Sequence, residues 1–147
     1  MSEPDLEGLE DFASGHGFLS FLNMDVVEVS PGRAVLHVPA KQQLRNIGQM
    51  DPPPIHGGVI STLIDTSASV ALRSTFEDPQ HTGMTTTNMD VSYLRPATGD
   101  LEAVAEVVRA GNSMGVADVT VTSEKPDGER VEVAVGKANF RIFRGGE

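Results

Sequence analysis

The 147-residue chain contains no cysteine and no tryptophan, and only three of its eleven cationic residues are lysines. Without cysteine it has no disulfide, no thiol nucleophile and no thiolate metal ligand, which is compatible with a reducing cytoplasm. No apolar run approaches the roughly 18 to 20 residues that span a bilayer, and the acidic N-terminus is unlike a basic signal peptide. We therefore expect a cytoplasmic protein without a membrane segment.

Positive charge is also scarce, because 11 Lys and Arg stand against 21 Asp and Glu, for a formal net charge of -10. Such a charge repels nucleic acids and anionic membranes, so we expect neither as a partner. The four histidines show no metal-ligand spacing, which predicts no metal site. The length suits one buried core, so we expect a single domain over residues 1–147, with 1–20 as an N-terminal extension.

β-branched and alternating segments predict six strands. Two runs lie on either side of a Pro-Gly turn at 30–33, and four more begin near residues 85, 100, 115 and 130. Short connections join antiparallel neighbours, so we expect the last four strands to form an antiparallel meander. Ala117, Val119 and Val121 share one side of their strand, which predicts a sheet with one covered face.

The segment from Gly57 to Thr75 is predicted to be a long helix, because apolar residues recur there at helical spacing. These residues are Val59, Ile60, Leu63, Ile64, Val70 and Ala71. The opposite side carries small residues, hydroxyl groups and one charge, instead of the usual Lys and Glu: Ser61, Thr62, Asp65, Thr66, Ala68 and Ser69. We expect the apolar side to cover the sheet and the other side to face a cleft or a second subunit.

Asp65 is the one formally charged residue between His56 and Arg73. It lies two turns inside the predicted helix, too deep to cap it, and a carboxylate removed from water needs a partner or a task. Two interpretations stay open: a buried ion pair with one of the eight arginines, or a base or nucleophile in a half-dry cleft. The glycines Gly57 and Gly58 form either a tight turn alone or an oxyanion site at the helix start, which with Asp65 would suit attack on an acyl carbonyl.

The stretch HGGVISTLIDTSASVAL, with Asn46-Ile47-Gly48 before it and TTTNMDVSYLRPATGD after it, resembles the hotdog-fold acyl-CoA thioesterases of the phenylacetate-degradation type. The resemblance covers the chain from about residue 20 to the end. It implies an α+β hotdog fold, in which an antiparallel β-sheet wraps a long central helix. It also implies hydrolysis of an acyl or aryl thioester of coenzyme A, which is part of the substrate, and no other cofactor.

Carried onto this chain, the resemblance assigns the catalytic roles. Asp65 is implied as nucleophile or general base, and Gly57 as the residue whose backbone N–H polarises the thioester carbonyl. His56 and Asn46 are implied to position the thioester or the attacking water, and Thr86 to hold water near Asp65. The stretch QMDPPP lengthens the usual gap between the asparagine and His-Gly-Gly, which leaves the position of Asn46 open.

The phosphate-bearing tail of coenzyme A needs local cations on so acidic a protein. The resemblance implies that the substrate is contacted by Gly58, Arg95, Arg109, Gly111, Asn112 and Ser113. Each arginine could equally be a solvated surface charge. The resemblance further implies a site shared across a homodimer, and dimers that pair into a tetramer.

Two other functions stay open: a hotdog hydratase or dehydratase acting on the same thioesters, and a non-catalytic acyl-CoA sensor. The first typically uses a different motif, and Asp65 argues against the second.

Residues 111–115, GNSMG, match the Gly-x-Ser-x-Gly nucleophile elbow. That elbow needs a strand before it and a helix after it, whereas these residues lie between two predicted strands, so we predict that Ser113 is not a nucleophile.

Overall fold

A computed structural model describes residues 6–144 of the chain, so the first five residues of the predicted N-terminal extension lie outside it. Within this range one long helix packs against a six-stranded antiparallel sheet, which confirms the predicted α+β architecture. The strands are β1 (Asp25–Ser30), β2 (Arg33–Val38), β3 (Gly83–Tyr93), β4 (Leu101–Ala110), β5 (Met114–Glu124) and β6 (Arg130–Phe143). The helices are α1 (Glu7–Glu10), α2 (Gly17–Phe21) and α3 (Gly57–Arg73), with a 3-10 turn at Gln42–Leu44.

The strand order is β1-β2-β4-β5-β6-β3, so the predicted four-strand meander is wrong for β3. β4, β5 and β6 do form consecutive antiparallel pairs, but β3 lies at the sheet edge beside β6. The side of β4 that β3 would need is taken by β2, which pairs along it from Arg33 to Val38. The connection at 94–100 is long enough to avoid a tight turn, because seven extended residues reach about 20 Å.

The core lies between α3 and one face of the sheet. All six predicted apolar positions of the helix are buried, as are Ala117, Val119 and Val121 on β5, which confirms the covered face of the sheet. Ala68 was predicted on the opposite side of the helix, but it is fully buried. The helix ends two residues earlier than predicted because its last turn tightens: the Ser74 hydroxyl donates to the Ala71 carbonyl, and the Thr75 N–H donates to Leu72, three residues back.

The described part of the N-terminal extension folds as α1 and α2 and packs on the core through Leu9, Ala13 and Leu19. Phe18 and Phe21, in contrast, are 55% and 61% exposed. The reason is that α2 has only five residues, so it buries one side alone. None of the helices within residues 6–144 has both the length and the apolar character needed to cross a membrane.

Candidate active site

Asp65 lies half-buried in the middle of α3, where its Oδ1 accepts a hydrogen bond of 2.7 Å from the Thr86 hydroxyl. Thr86 is on the edge strand β3, next to a β-bulge between Thr86 and Asn88. A bulge changes the direction of neighbouring side chains, and here it accompanies a hydroxyl that meets the helix. Among residues 6–144 no arginine forms an ion pair with Asp65, and its Oδ2 has no hydrogen-bond donor. The ion-pair interpretation of Asp65 therefore does not hold for the described chain.

A cleft of about 360 Å³ opens beside Asp65, and we name it the Asp65 cleft. One side is the helix face that the sequence predicted to be uncharged apart from Asp65, and the other side is mostly apolar. The lining residues are Phe12, His16, Phe18, Leu19, Ser61, Thr62, Asp65, Thr66, Ser69, Met84, Thr86, Met89 and Phe140. Asp65 and Thr86 thus form a polar pair within a cleft that has aromatic and methionine walls.

His56 caps the start of α3, since its Nδ1 accepts a 2.8 Å hydrogen bond from the Gly58 N–H. A ring nitrogen that accepts carries no proton, so the proton of the neutral ring is on Nε2. The cap occupies the Gly58 N–H and leaves the Gly57 N–H without an acceptor among residues 6–144. Gly57 is thus the position in this motif whose N–H is free to meet a ligand, at the positive end of the helix dipole.

Tyr93 contacts Gly57 closely, and sequence reasoning missed it. Its hydroxyl donates to the Gly57 carbonyl at 2.9 Å, and a Cβ on Gly57 would lie 3.2 Å from the Tyr93 ring. The local signal was weak, because Tyr93 ends an exposed edge strand and is itself 54% exposed. A side chain at position 57 would therefore press on the Tyr93 ring.

Gly57 lines a second cleft of about 370 Å³, which we name the Gly57 cleft, together with Asn46, Tyr93 and Arg95. The Asn46 N–H donates to the Pro54 carbonyl at 2.8 Å, so residues 47–53 loop outward from a closed base. The longer gap therefore leaves Asn46 beside Gly57. Arg95 lines the same cleft, and its guanidinium donates to the Glu132 carbonyl at 2.7 Å.

Gly57 and Asp65 are eight residues apart on one helix, which separates them by about 12 Å along the axis. An oxyanion donor must lie about 3 Å from the reacting oxygen, and a base or nucleophile must be similarly close to the reacting carbon or its water. The axial separation of their backbones thus exceeds the span of one carbonyl held directly by both groups. The predicted cooperation of the helix start with Asp65, in a site shared between two copies, stays a prediction.

The remaining predicted substrate residues lie at the other end of α3. A Cβ on Gly115 would lie 2.5 Å from the Leu72 side chain, which places the turn Gly111-Asn112-Ser113 and Arg109 roughly 20 Å from Gly57 along the helix. The guanidinium of Arg144 donates to the carbonyls of Gly111 and Asn112. β5 follows this turn, as the argument against a nucleophile elbow requires. One chain does not bring Arg95 and Arg109 together.

Asp65 carries the formal charge of its cleft. Within residues 6–144 there is no group of three or more His, Cys, Asp or Glu side chains placed to hold a metal ion. The nearest cation along α3 is Arg73, two turns beyond Asp65, and burial lowers the pKa of its guanidinium. Arg73 directs its Nη1 to the carbonyls of Pro79 and Thr82, both at 3.0 Å.

Comparisons with known proteins identify the family. Residues 55–129 match the model of the Thioesterase superfamily. A Halobacterium salinarum protein named "Putative esterase" is 42% identical over 138 residues, which are 92% of this chain and 91% of the relative. The medium/long-chain acyl-CoA thioesterase YigI of Escherichia coli is 31% identical over 114 residues, 69% of this chain and 71% of that protein.

A solved structure agrees with the fold. The crystal structure of a thioesterase family protein from Silicibacter pomeroyi superposes with a TM-score of 0.82 at 25% identity, covering 93% of this chain and 96% of the other. The family match begins just before α3 and includes Gly57, Asp65 and Thr86. The sheet and its long helix therefore form a hotdog fold, and the chain belongs to the thioesterase superfamily.

Proposed function

We propose that the protein hydrolyses an acyl or aryl thioester of coenzyme A to the free acid and coenzyme A. The observation that carries this proposal is the Asp65 carboxylate, held at one oxygen by Thr86 and without a donor on the other among residues 6–144, inside a cleft with aromatic and methionine side chains. The activity in the name of the relative YigI supports it. The phenylacetate-degradation type belongs to the same proposal and rests on His56-Gly57-Gly58 followed by Asp65.

The reaction follows from the two polar groups of the site. As general base, Asp65 takes a proton from water as the water oxygen bonds to the thioester carbon; as nucleophile, its Oδ2 forms that bond and water then hydrolyses the anhydride. In both cases the carbon–sulfur bond breaks and coenzyme A leaves as the thiol or thiolate. The Gly57 N–H donates to the carbonyl oxygen while it gains negative charge, and the dipole of α3 adds to this stabilisation. The proposed chemistry uses no metal and no further cofactor.

We infer that each site takes Asp65 from one copy and Gly57 from another, because about 12 Å separates them in one chain. A two-fold dimer would repeat this combination and create two equivalent sites. The edge strand β3 carries Thr86 and is largely exposed, so it is a surface on which a second copy can pair. The proposal also includes the pairing of dimers into a tetramer and a cytoplasmic location. It assigns contacts with the substrate to Arg95, Arg109 and residues 111–113.

The direct test is Asp65→Asn. Asparagine keeps the size of the side chain and an oxygen for the Thr86 bond, but it is neither charged nor basic. We expect kcat for acyl-CoA hydrolysis to fall at least about 100-fold. The Kd of the substrate, measured separately from KM, should change by less than about tenfold. The melting temperature should stay close to that of the unchanged protein.

Other results would contradict the proposal. An Asp65→Asn variant that hydrolyses acyl-CoA at the original rate would remove Asp65 from the chemistry. Tight binding of acyl-CoA by the unchanged protein without turnover would favour the sensor, and water addition to an enoyl-CoA would favour the hydratase. Thiol release from a screen of acyl and aryl thioesters reports hydrolysis, a binding measurement reports the sensor, and consumption of enoyl-CoA without thiol release reports the hydratase.

A further inference from the structure

The apolar wall of the Asp65 cleft comes largely from outside the family-matched region. Phe12, His16, Phe18 and Leu19 line the cleft, and all of them precede residue 55, where the family match begins. Asp65 and Thr86 lie inside that match. The reacting groups and the wall facing them thus belong to different parts of the chain, one matched by the family model and one not.

We name the part of the lining formed by Phe12, His16, Phe18 and Leu19 the N-terminal wall, and its segment is packed on the core. Leu9 and Ala13 are 1% exposed and Leu19 is 5% exposed, so both sides of the segment 12–19 are anchored. The Arg73 guanidinium lies 5.8 Å from the centre of the Phe12 ring, a cation–π distance that ties this ring to the end of α3. A wall held in this way can select a ligand by shape.

The helix side of the cleft is less polar than its composition suggests. The Thr62 hydroxyl donates to the Gly58 carbonyl and the Thr66 hydroxyl to the Thr62 carbonyl, both at 2.8 Å. Both donors are satisfied within α3, so neither requires a polar group on a ligand. Asp65 remains the charged group of the lining. A negatively charged acyl end would lose hydration beside the Asp65 carboxylate, which favours an uncharged chain.

We propose that residues 12–19 form the wall of an acyl pocket that accepts an apolar, uncharged acyl chain, and that Phe18 sets the chain length that fits. The inference rests on the proposed thioester hydrolysis, which places the reacting carbonyl at Asp65. From there the acyl chain extends between α3 and the aromatic wall. The volume of about 360 Å³ is in the range of small-molecule sites, and Met84 and Met89 can adapt to a flexible chain.

Phe18 and Phe21 form a matched pair for the test. Both are in α2 and more than half exposed, but Phe18 lines the cleft, whereas Phe21 is absent from the lining and has the Lys41 ammonium 4.7 Å from its ring centre. We expect Phe18→Ala to shift kcat/KM toward longer chains, with the ratio of long-chain to short-chain thioesters rising at least about tenfold. Phe18→Trp should shift the ratio the other way, and Phe21→Ala should leave it within about twofold. The series runs from acetyl-CoA to palmitoyl-CoA.

A second readout separates this inference from the proposed function. Binding of non-hydrolysable S-alkyl-CoA thioethers of the same chain lengths is measured for each variant. If the protein does not hydrolyse acyl-CoA but Phe18→Ala shifts the chain-length preference of binding, the proposed hydrolysis is contradicted and the proposed acyl pocket is supported. Two results would overturn the role of Phe18 in a protein that hydrolyses acyl-CoA. In one, Phe18→Ala and Phe18→Trp both keep the original chain-length profile. In the other, Phe21→Ala changes that profile as much as Phe18→Ala does.

Discussion

The Asp65 cleft and the Gly57 cleft lie along the same helix and have nearly equal volumes, yet they are chemically different. The first holds a carboxylate among aromatic and methionine side chains. The second holds the Gly57 N–H, which has no acceptor in the described range 6–144, at a helix start beside Asn46 and Arg95. In the proposed reaction, the first cleft supplies the base or nucleophile and the second stabilises the oxyanion. On the proposed mechanism, one chain carries both halves of the site about 12 Å apart along α3, and a second copy would be needed to complete it.

The largest effect is expected in the Gly57 cleft, from Gly57→Pro. Proline is favoured at the first position of a helix, and His56 already has the φ of -57° and ψ of 134° that suit a residue before proline. The substitution removes the N–H while keeping the backbone direction. We expect kcat to fall by about 100-fold or more, as for the loss of an oxyanion donor. Steady-state kinetics on an acyl-CoA substrate measures it.

Gly57→Ala is the control, because it introduces the same close contact with the Tyr93 ring but keeps the N–H. We expect this variant to retain kcat within about tenfold. An equal fall in kcat for Gly57→Pro and Gly57→Ala would show that the Tyr93 contact, and not the N–H, determines the rate. A common fall in melting temperature would identify that contact as the cause.

A smaller effect is expected in the Asp65 cleft, from Thr86→Val, which removes the hydroxyl that donates to Asp65. A hydrogen bond to a charged group contributes about 1.5 to 3 kcal/mol, so we expect kcat to fall at least about tenfold. KM should change little, because Thr86 positions Asp65 rather than the substrate tail. The neighbour Thr87, whose hydroxyl donates to the Asn139 carbonyl, supplies the control Thr87→Val, which should stay within about twofold. A rise in KM without a loss in kcat would contradict this role.

The helix and its buried side could be predicted from sequence because both depend on local spacing. Apolar residues at 59, 60, 63 and 64 recur with the helical period, and all are buried. The position of β3 could not be predicted in the same way. Strand pairing joins residues far apart in the chain, such as Thr86 and Phe140, and no local pattern names the partner.

Individual residues of the candidate site stood out in the sequence, but their arrangement in space did not. Asp65 stood out because a lone carboxylate among small residues is unusual, and the distance to Gly57 follows from helix geometry alone. The capping by His56 and the contact with Tyr93 depend on side-chain directions that spacing does not reveal. The N-terminal wall was missed because Phe12 and Phe18 approach the cleft only through tertiary packing.

The most direct test of a site divided between two copies is complementation between Asp65→Asn and Gly57→Pro. Each variant alone should be nearly inactive. In a mixed dimer, one site combines the intact Gly57 of one chain with the intact Asp65 of the other, while the second site has neither. Random mixing makes half of the dimers mixed, so we expect about a quarter of the original activity per chain. No recovery in a sample whose mixed dimers are shown by two affinity tags would contradict the shared site.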